Sequence, residues 1–158
     1  MDSTTIRQRF LDFFARREHA ILCSAPLIPE SDGGDRNVTL FNVAGMQPLM
    51  PYLLGEPHPQ GQRLVGSQKC LRTVDINEVG DQTHATFFEM LGNWSLGDYF
   101  KQAAIDWSYE FLTNTEEGLG IDPARLYVTV FAGNDDVPRD EEAARIWGQF
   151  VPKNRIYY

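Results

Sequence analysis

Helical periodicity is clearest at the N-terminus, where apolar residues recur at intervals of three and four with arginines opposite or beside them: Ile6, Phe10, Phe13 and Phe14. This spacing predicts an amphipathic helix over residues 4–18. Three later helices are predicted over residues 48–54, after Asp98 and over residues 139–150. Asp98 is the candidate N-cap of the middle one, which would carry five apolar side chains inward: Phe100, Ala104, Trp107, Phe111 and Leu112.

Short apolar runs between turn-forming residues predict the strands. They cover residues 20–24, 38–41, 63–68, 85–91, 125–132 and 155–158. The run over 85–91 is almost wholly apolar, which is typical of a strand in the middle of a sheet. Residues 31–35 predict a surface loop, and residues 92–98 predict a turn before the next helix.

Length and composition narrow the class of protein. The 158 residues suffice for one domain with a core, and 42% apolar with 23% charged residues is typical of soluble globular proteins. Neither a long apolar run nor a signal peptide is present, so we expect no membrane span and a cytoplasmic location. Cys23 and Cys70 suggest no disulfide framework, and with the three histidines they form no metal-binding pattern.

The charge is unevenly distributed along the chain. The net charge is −8, and the second half, which contains 13 acidic and 6 basic residues, carries nearly all of it. Proteins that bind nucleic acid through its phosphates are normally basic. We therefore expect this chain by itself to bind nucleic acid weakly.

Two segments about fifteen residues apart contain the most informative pattern. Residues 68–73 read QKCLRT, and residues 86–95 read TFFEMLGNWS. Interpreted as two strands joined by a loop, they place Arg72 near the loop and Glu89 in the returning strand. An arginine for a phosphate, beside an apolar strand for a base, is a plausible cradle for a nucleotide.

This pattern resembles motif 2 of the alanyl-tRNA synthetases, a family of class II aminoacyl-tRNA synthetases. Further similar segments occur in the family's order, at residues 10–14, 24–29, 42–46 and 87–101. Two features depart from the family: a short loop over residues 74–83, and NVAGM at 42–46 where NAGM is usual. The resemblance implies an α+β fold, in which helices flank a mainly antiparallel sheet.

The resemblance implies that Arg72 is catalytic. Its guanidinium would bind the α-phosphate of ATP and stabilise charge developing there as the alanine carboxylate attacks. The alternative is a surface arginine paired with Asp75 or Glu78. Lys69 and Arg63 are weaker candidates for phosphate contacts.

The returning strand supplies further candidates for ATP binding. Glu89 would position ATP or its magnesium-bound water; alternatively, it lies on a solvated face. The backbone of Met90 would read the adenine edge, unless Met90 is simply core. Phe87 and Phe88 point to opposite faces, and either one could stack on adenine.

Two residues outside these strands complete the implied site. Met46 resembles a residue of the alanine pocket, and Gly45 before it would allow close backbone approach; a buried core methionine is the alternative. His84 would lie near the ATP phosphates, although a single histidine is usually structural. His19 and His58 have no partner cluster and are not predicted to be ligands.

The family's activity gives the functional hypothesis. It is activation of alanine by ATP, with Mg²⁺ bound to the ATP, followed by transfer of alanine to tRNA(Ala). No segment after Leu112 resembles motif 3, and the zinc site of the family belongs to a downstream domain. Because a strand ending in Ile156-Tyr157-Tyr158 would leave an exposed edge, we expect this chain to be the N-terminal portion of a longer enzyme, itself inactive and contacting tRNA mostly through other regions.

Two other classes of protein remain to be considered. The first is a non-catalytic synthetase-like protein that binds a nucleotide or a partner protein. The second, an alanyl-tRNA editing protein, is disfavoured because such proteins resemble the family's distal part and no HxxxH pattern occurs here.

Overall fold

The computed structural model describes residues 1–29, 40–74 and 76–158. They form two compact units, Met1–Asp98 and Tyr99–Tyr158. The predicted loop at residues 31–35 lies outside the described residues, as does the first half of the strand predicted at 38–41. Leu40 and Phe41, which belong to that prediction, form a bend rather than a strand.

The first unit begins with helix α1 (Ser3–Ala15), which is capped by Asp2 through a 2.7 Å bond from the Thr5 N–H to its carboxylate. Its inward face buries the predicted aromatic stripe: Phe10, Phe13 and Phe14. The helix ends three residues earlier than predicted. Glu18 adopts a left-handed conformation with φ of 65°, which turns the chain towards the first strand.

A three-stranded sheet is the framework of this unit. Strand β1 (Ala20–Leu22) pairs in parallel with β2 (Arg63–Leu71), which pairs antiparallel with β3 (Phe87–Ser95). The predicted pair of strands joined by a loop is therefore confirmed. One turn of 3-10 helix (Gln47–Leu49) and α2 (Met50–Leu53) replace the single short helix predicted at 48–54.

The prediction that residues 85–91 form the central strand is wrong for the described sheet, because β2 lies in the middle and β3 at the edge. Strand β2 can lie in the middle of the sheet although it contains the polar residue Gln68, because this buried side chain is hydrogen-bonded. The side-chain amide of Gln68 accepts from the Ala25 N–H at 2.8 Å and donates to the Ala25 carbonyl at 3.0 Å. These bonds remove the cost of burying the amide.

The turn predicted at residues 92–98 is also wrong in its first half, since β3 continues to Ser95. Gly92 and Trp94 lie two positions apart on the same strand face, and the indole lies over the glycine. A Cβ added at Gly92 would be 2.5 Å from Trp94 Cζ2. The actual turn includes Gly97, whose φ is 78°.

The second unit contains α3 (Lys101–Thr113), α4 (Glu141–Trp147) and two short parallel strands, β4 (Val128–Thr129) and β5 (Ile156–Tyr157). Helix α3 buries Ile105 and Phe111, but Phe100, which was predicted to point inward, is 77% exposed. The prediction that Asp98 caps α3 is wrong, because the N-cap position is Phe100 and the Asp98 carboxylate pairs with Arg63.

Both units combine helices with short sheets, which confirms the α+β class. The longest strand pair, β2–β3, is antiparallel as predicted, whereas the shorter pairs β1–β2 and β4–β5 are parallel. Within the described ranges, no helix has the length and apolar character required to cross a membrane.

Candidate nucleotide site on the β2–β3 hairpin

The register of the hairpin divides the candidate residues between two faces. Cys70 pairs with Phe88 and Gln68 pairs with Met90, and directly opposed residues project from the same side of a sheet. Phe88 and Met90 therefore share one face, which we call the front face. Glu89, between them, lies on the opposite face.

Arg72 lies immediately beyond β2, at the open end of the front face. Its backbone N–H donates to the Thr86 carbonyl at 2.8 Å, which continues the pairing of the hairpin. The side chain is exposed, with Nε donating to the Val43 carbonyl at 3.0 Å and Cζ 5.3 Å from the Phe88 ring centroid. The Nε bond thus directs the terminal nitrogens Nη1 and Nη2, which form no hydrogen bond with any described residue and can donate to an oxyanion.

The alternative role for Arg72, a surface ion pair, finds no support among the described residues. Glu78, one proposed partner, instead contacts His84 Nε2 at 3.2 Å. Asp75, the other, lies outside the described residues. Cys70 beside Arg72 is fully buried, and burial raises the pKa of its thiol, although the Arg72 charge opposes this shift. Cys70 is therefore a protonated packing residue rather than a nucleophile.

The turn at residues 42–46 contacts the same face. The Gly45 N–H donates to Met90 Sδ at 3.3 Å. A Cβ added at Gly45 would lie 3.1 Å from Trp94 Cζ2, so this close approach favours glycine. Met46 follows and is 49% exposed, which rules out the alternative of a buried core methionine.

Glu89 is separated from these residues by its position on the other face. Its Oε2 accepts from Arg7 of α1, at 2.6 Å from Nη2 and 3.0 Å from Nε. Both side chains are about one-third exposed. The geometry favours the second interpretation of Glu89, a carboxylate on the other, partly solvated face, over contact with ATP.

His84 lies in the loop between the two strands, where its contacts are with acidic side chains. Nδ1 is 2.6 Å from Asp81 Oδ2, and Nε2 is near Glu78. Asp81 also accepts from the backbone N–H groups of His84 and Thr83. Those backbone bonds, followed by the His84 side chain, lower the pKa of Asp81 to about 2. Both ring nitrogens of His84 thus face carboxylates rather than Arg72, Phe88 or Met90.

A cavity of about 320 Å³ adjoins the front face, next to Gly45. Its wall includes Gln68, Trp94 and two rings that pack edge to face at 4.4 Å, Tyr52 and His58. No sequence pattern singles out these residues, since aromatic and amide side chains in such segments are usually structural. Within the described parts of the chain, no group of three or more His, Cys, Asp or Glu residues could hold a metal ion.

Comparison with known proteins identifies the family. Residues 5–158 match the model of the family described as tRNA synthetases class II (A). A protein of Treponema pallidum (strain Nichols) named alanine–tRNA ligase is 59% identical over 154 residues, which are 97% of this chain and 25% of that protein. Proteins of the same name from Borreliella afzelii (strain PKo) and Rubrobacter xylanophilus (strain DSM 9941 / JCM 11954 / NBRC 16129 / PRD-1) are 54% and 52% identical, over 97% and 99% of this chain and 25% and 17% of their own lengths. The chain therefore spans about a quarter of the length of the first of these relatives, and it belongs to the class II tRNA synthetases.

Proposed function

We propose that this chain carries the nucleotide-binding part of an alanine–tRNA ligase. Such an enzyme activates alanine with ATP and then transfers the alanyl group to tRNA(Ala). The names of the relatives support the identity of the amino acid. The observation that carries the proposal is Arg72, an exposed guanidinium oriented by the Val43 carbonyl and lying 5.3 Å from the Phe88 ring.

The chemistry of the first step fits these residues. The alanine carboxylate attacks the α-phosphorus of ATP, a P–O bond forms, and pyrophosphate leaves with the electrons of the bond that breaks. Negative charge on the α-phosphate oxygens increases in the transition state, and an oriented arginine stabilises it. Phe88 offers a ring for adenine, and Met90 lies beside it on the same face.

The other parts of the proposal follow from the same face. Met46, exposed and next to Gly45, would contact alanine. Mg²⁺ would bind with the phosphates of ATP and neutralise part of their charge. His84 remains a candidate phosphate contact only if its loop rearranges, because both of its nitrogens face carboxylates. Zinc and most tRNA contacts would belong to regions outside this chain, and a ligase of translation would work in the cytoplasm.

Alanine-dependent ATP–pyrophosphate exchange by the full-length protein tests the proposal. Arg72→Ala should lower the exchange rate about 100-fold, since an oriented charge at a transition state contributes about 3 kcal/mol. Arg72→Lys should also lose most of the activity, because a lysine cannot present a planar fork. Lys69→Ala is the matched control: Lys69 pairs with Glu89 and so lies on the face opposite Phe88 and Met90, and its loss should leave exchange nearly unchanged.

The outcomes distinguish the ligase from a non-catalytic relative. No exchange by the full-length parent, with retained nucleotide binding, would favour the binding-module alternative. If the exchange rate of Arg72→Ala stays within about threefold of the parent, Arg72 does not act on the α-phosphate and is a surface residue.

A further inference from the structure

The Asn42–Val43 peptide group is bonded to the end of strand β2. The Asn42 carbonyl accepts from the Leu71 N–H at 3.0 Å, and the next carbonyl, that of Val43, accepts from Arg72 Nε at 3.0 Å. Asn42 is itself buried, with its side-chain Nδ2 donating to the Pro26 carbonyl at 2.6 Å. The direction of the Arg72 guanidinium thus depends on the backbone conformation at Val43.

Gln47 fixes that conformation from the other side. Its Oε1 accepts from the Val43 N–H at 2.9 Å, and its own N–H donates to the Ala44 carbonyl at 3.3 Å. The Val43 N–H and the Asn42 carbonyl belong to one planar peptide group. That peptide is therefore held at both ends, by Gln47 and by Leu71, and it cannot rotate without breaking a bond.

We propose that Gln47 is a positioning residue for Arg72, acting through the Val43 backbone. An exposed arginine samples many rotamers, and holding Nε against a fixed carbonyl reduces the freedom lost when the terminal nitrogens engage a phosphate. Gln47 Oε1 and Arg72 Nε both bond to the Val43 backbone, and neither of these bonds joins the two side chains directly. This role rests on the proposed function of Arg72 at the α-phosphate.

A purely structural role for Gln47 would give a different result. If its amide only stabilises the turn, its loss affects activity equally whether or not Arg72 is present. If it positions Arg72, its loss has no further effect once Arg72 is gone. A double-mutant cycle on activity therefore separates the two roles.

The cycle uses the full-length protein and the rate constant of alanine-dependent ATP–pyrophosphate exchange. Gln47→Met, which keeps the length of the side chain but removes its amide, should lower kcat about tenfold and change the KM for alanine less than about twofold. In the Arg72→Ala background the same change should alter kcat less than about twofold. Gln47→Ala, which packs differently, should show the same coupling, and thermal unfolding of each variant reports whether the fold is kept.

Gln8→Ala is the matched control, because it removes another glutamine amide bond, the 2.8 Å contact with Asp12 on α1, and it should leave kcat unchanged. Equal losses from Gln47→Met in both backgrounds, or no loss in either, would overturn the positioning role. Arg72→Ala with parental activity would instead refute the function of Arg72, and the positioning role with it.

Discussion

The Arg7–Glu89 ion pair allows the two roles of Glu89 to be separated by experiment. Two N–H groups of Arg7 donate to one carboxylate oxygen, at 2.6 and 3.0 Å, and both side chains are about one-third exposed. Exposed pairs are usually worth ~0.2–1 kcal/mol. Because Arg7 is held on a helix that packs against the sheet, less side-chain entropy is lost, which favours the upper end of this range, about 1 kcal/mol.

The assay is a double-mutant cycle of Arg7→Met and Glu89→Gln, followed by equilibrium unfolding in urea. We expect a coupling free energy of about 1 kcal/mol that decreases at about 1 M salt, where charges are screened. Lys69 provides the control, since it is the cross-strand neighbour of Glu89 but forms no ion pair with it among the described residues. Lys69→Met should couple to Glu89→Gln less strongly.

Activity completes the test. Glu89→Gln in the full-length protein should keep alanine-dependent exchange within about threefold of the parent, because Glu89 lies on the face opposite Phe88 and Met90. A loss of about 100-fold, together with a coupling below about 0.2 kcal/mol, would show that Glu89 acts on ATP and that the ion pair contributes little.

Three further predictions concern packing, pH and nucleic acid. Gly92→Ala should lower the free energy of unfolding, measured in urea, by about 1–3 kcal/mol, because the added Cβ would overlap the Trp94 indole. Gly66→Ala is the control and should lower it less, because its Cβ would have no neighbour closer than 3.5 Å. Burial lowers the pKa of His19 below its ordinary 6.5. As the pH drops below about 6.5, the unfolded chain therefore takes up a proton before the folded chain does, and the free energy of unfolding should fall. His19→Gln should flatten that part of the curve of stability against pH. Residues 1–158, with a net charge of −8, should bind tRNA more weakly than micromolar at about 0.15 M salt, and submicromolar, tRNA(Ala)-selective binding in a filter assay would contradict the charge argument.

The sequence predicted the hairpin and the place of Arg72 because strand alternation and loop position are local properties. Alternation also implies that Glu89 faces away from Phe88 and Met90, so the residues did contain a signal against grouping all three. The partner of Glu89 could not be predicted in the same way. Arg7 is 82 residues earlier in the chain, and only tertiary packing brings α1 to that face.

Two further features could not be predicted from the sequence, for a different physical reason: the order of the strands and the backbone carbonyl that orients Arg72. Apolar content is a poor guide to burial where polar side chains find partners inside the fold, and Gln68 in β2 bonds to the backbone of Ala25 and Lys69. Likewise, the group that directs Arg72 is the carbonyl of Val43. Every residue has such a carbonyl, so no side-chain pattern can mark it.

The two faces of the hairpin therefore have different energetic roles. On the back, Glu89 joins the sheet to α1, and its contact stabilises the fold whether or not a nucleotide is bound. On the front, Arg72 is exposed, and among the described residues its side-chain hydrogen-bond partner is a backbone carbonyl rather than a carboxylate that would neutralise it. A carboxylate partner would hold the guanidinium equally well, but it would compete with a phosphate for the same donors. Orientation by a neutral acceptor at Nε preserves both the positive charge and the free donors that an anionic ligand requires.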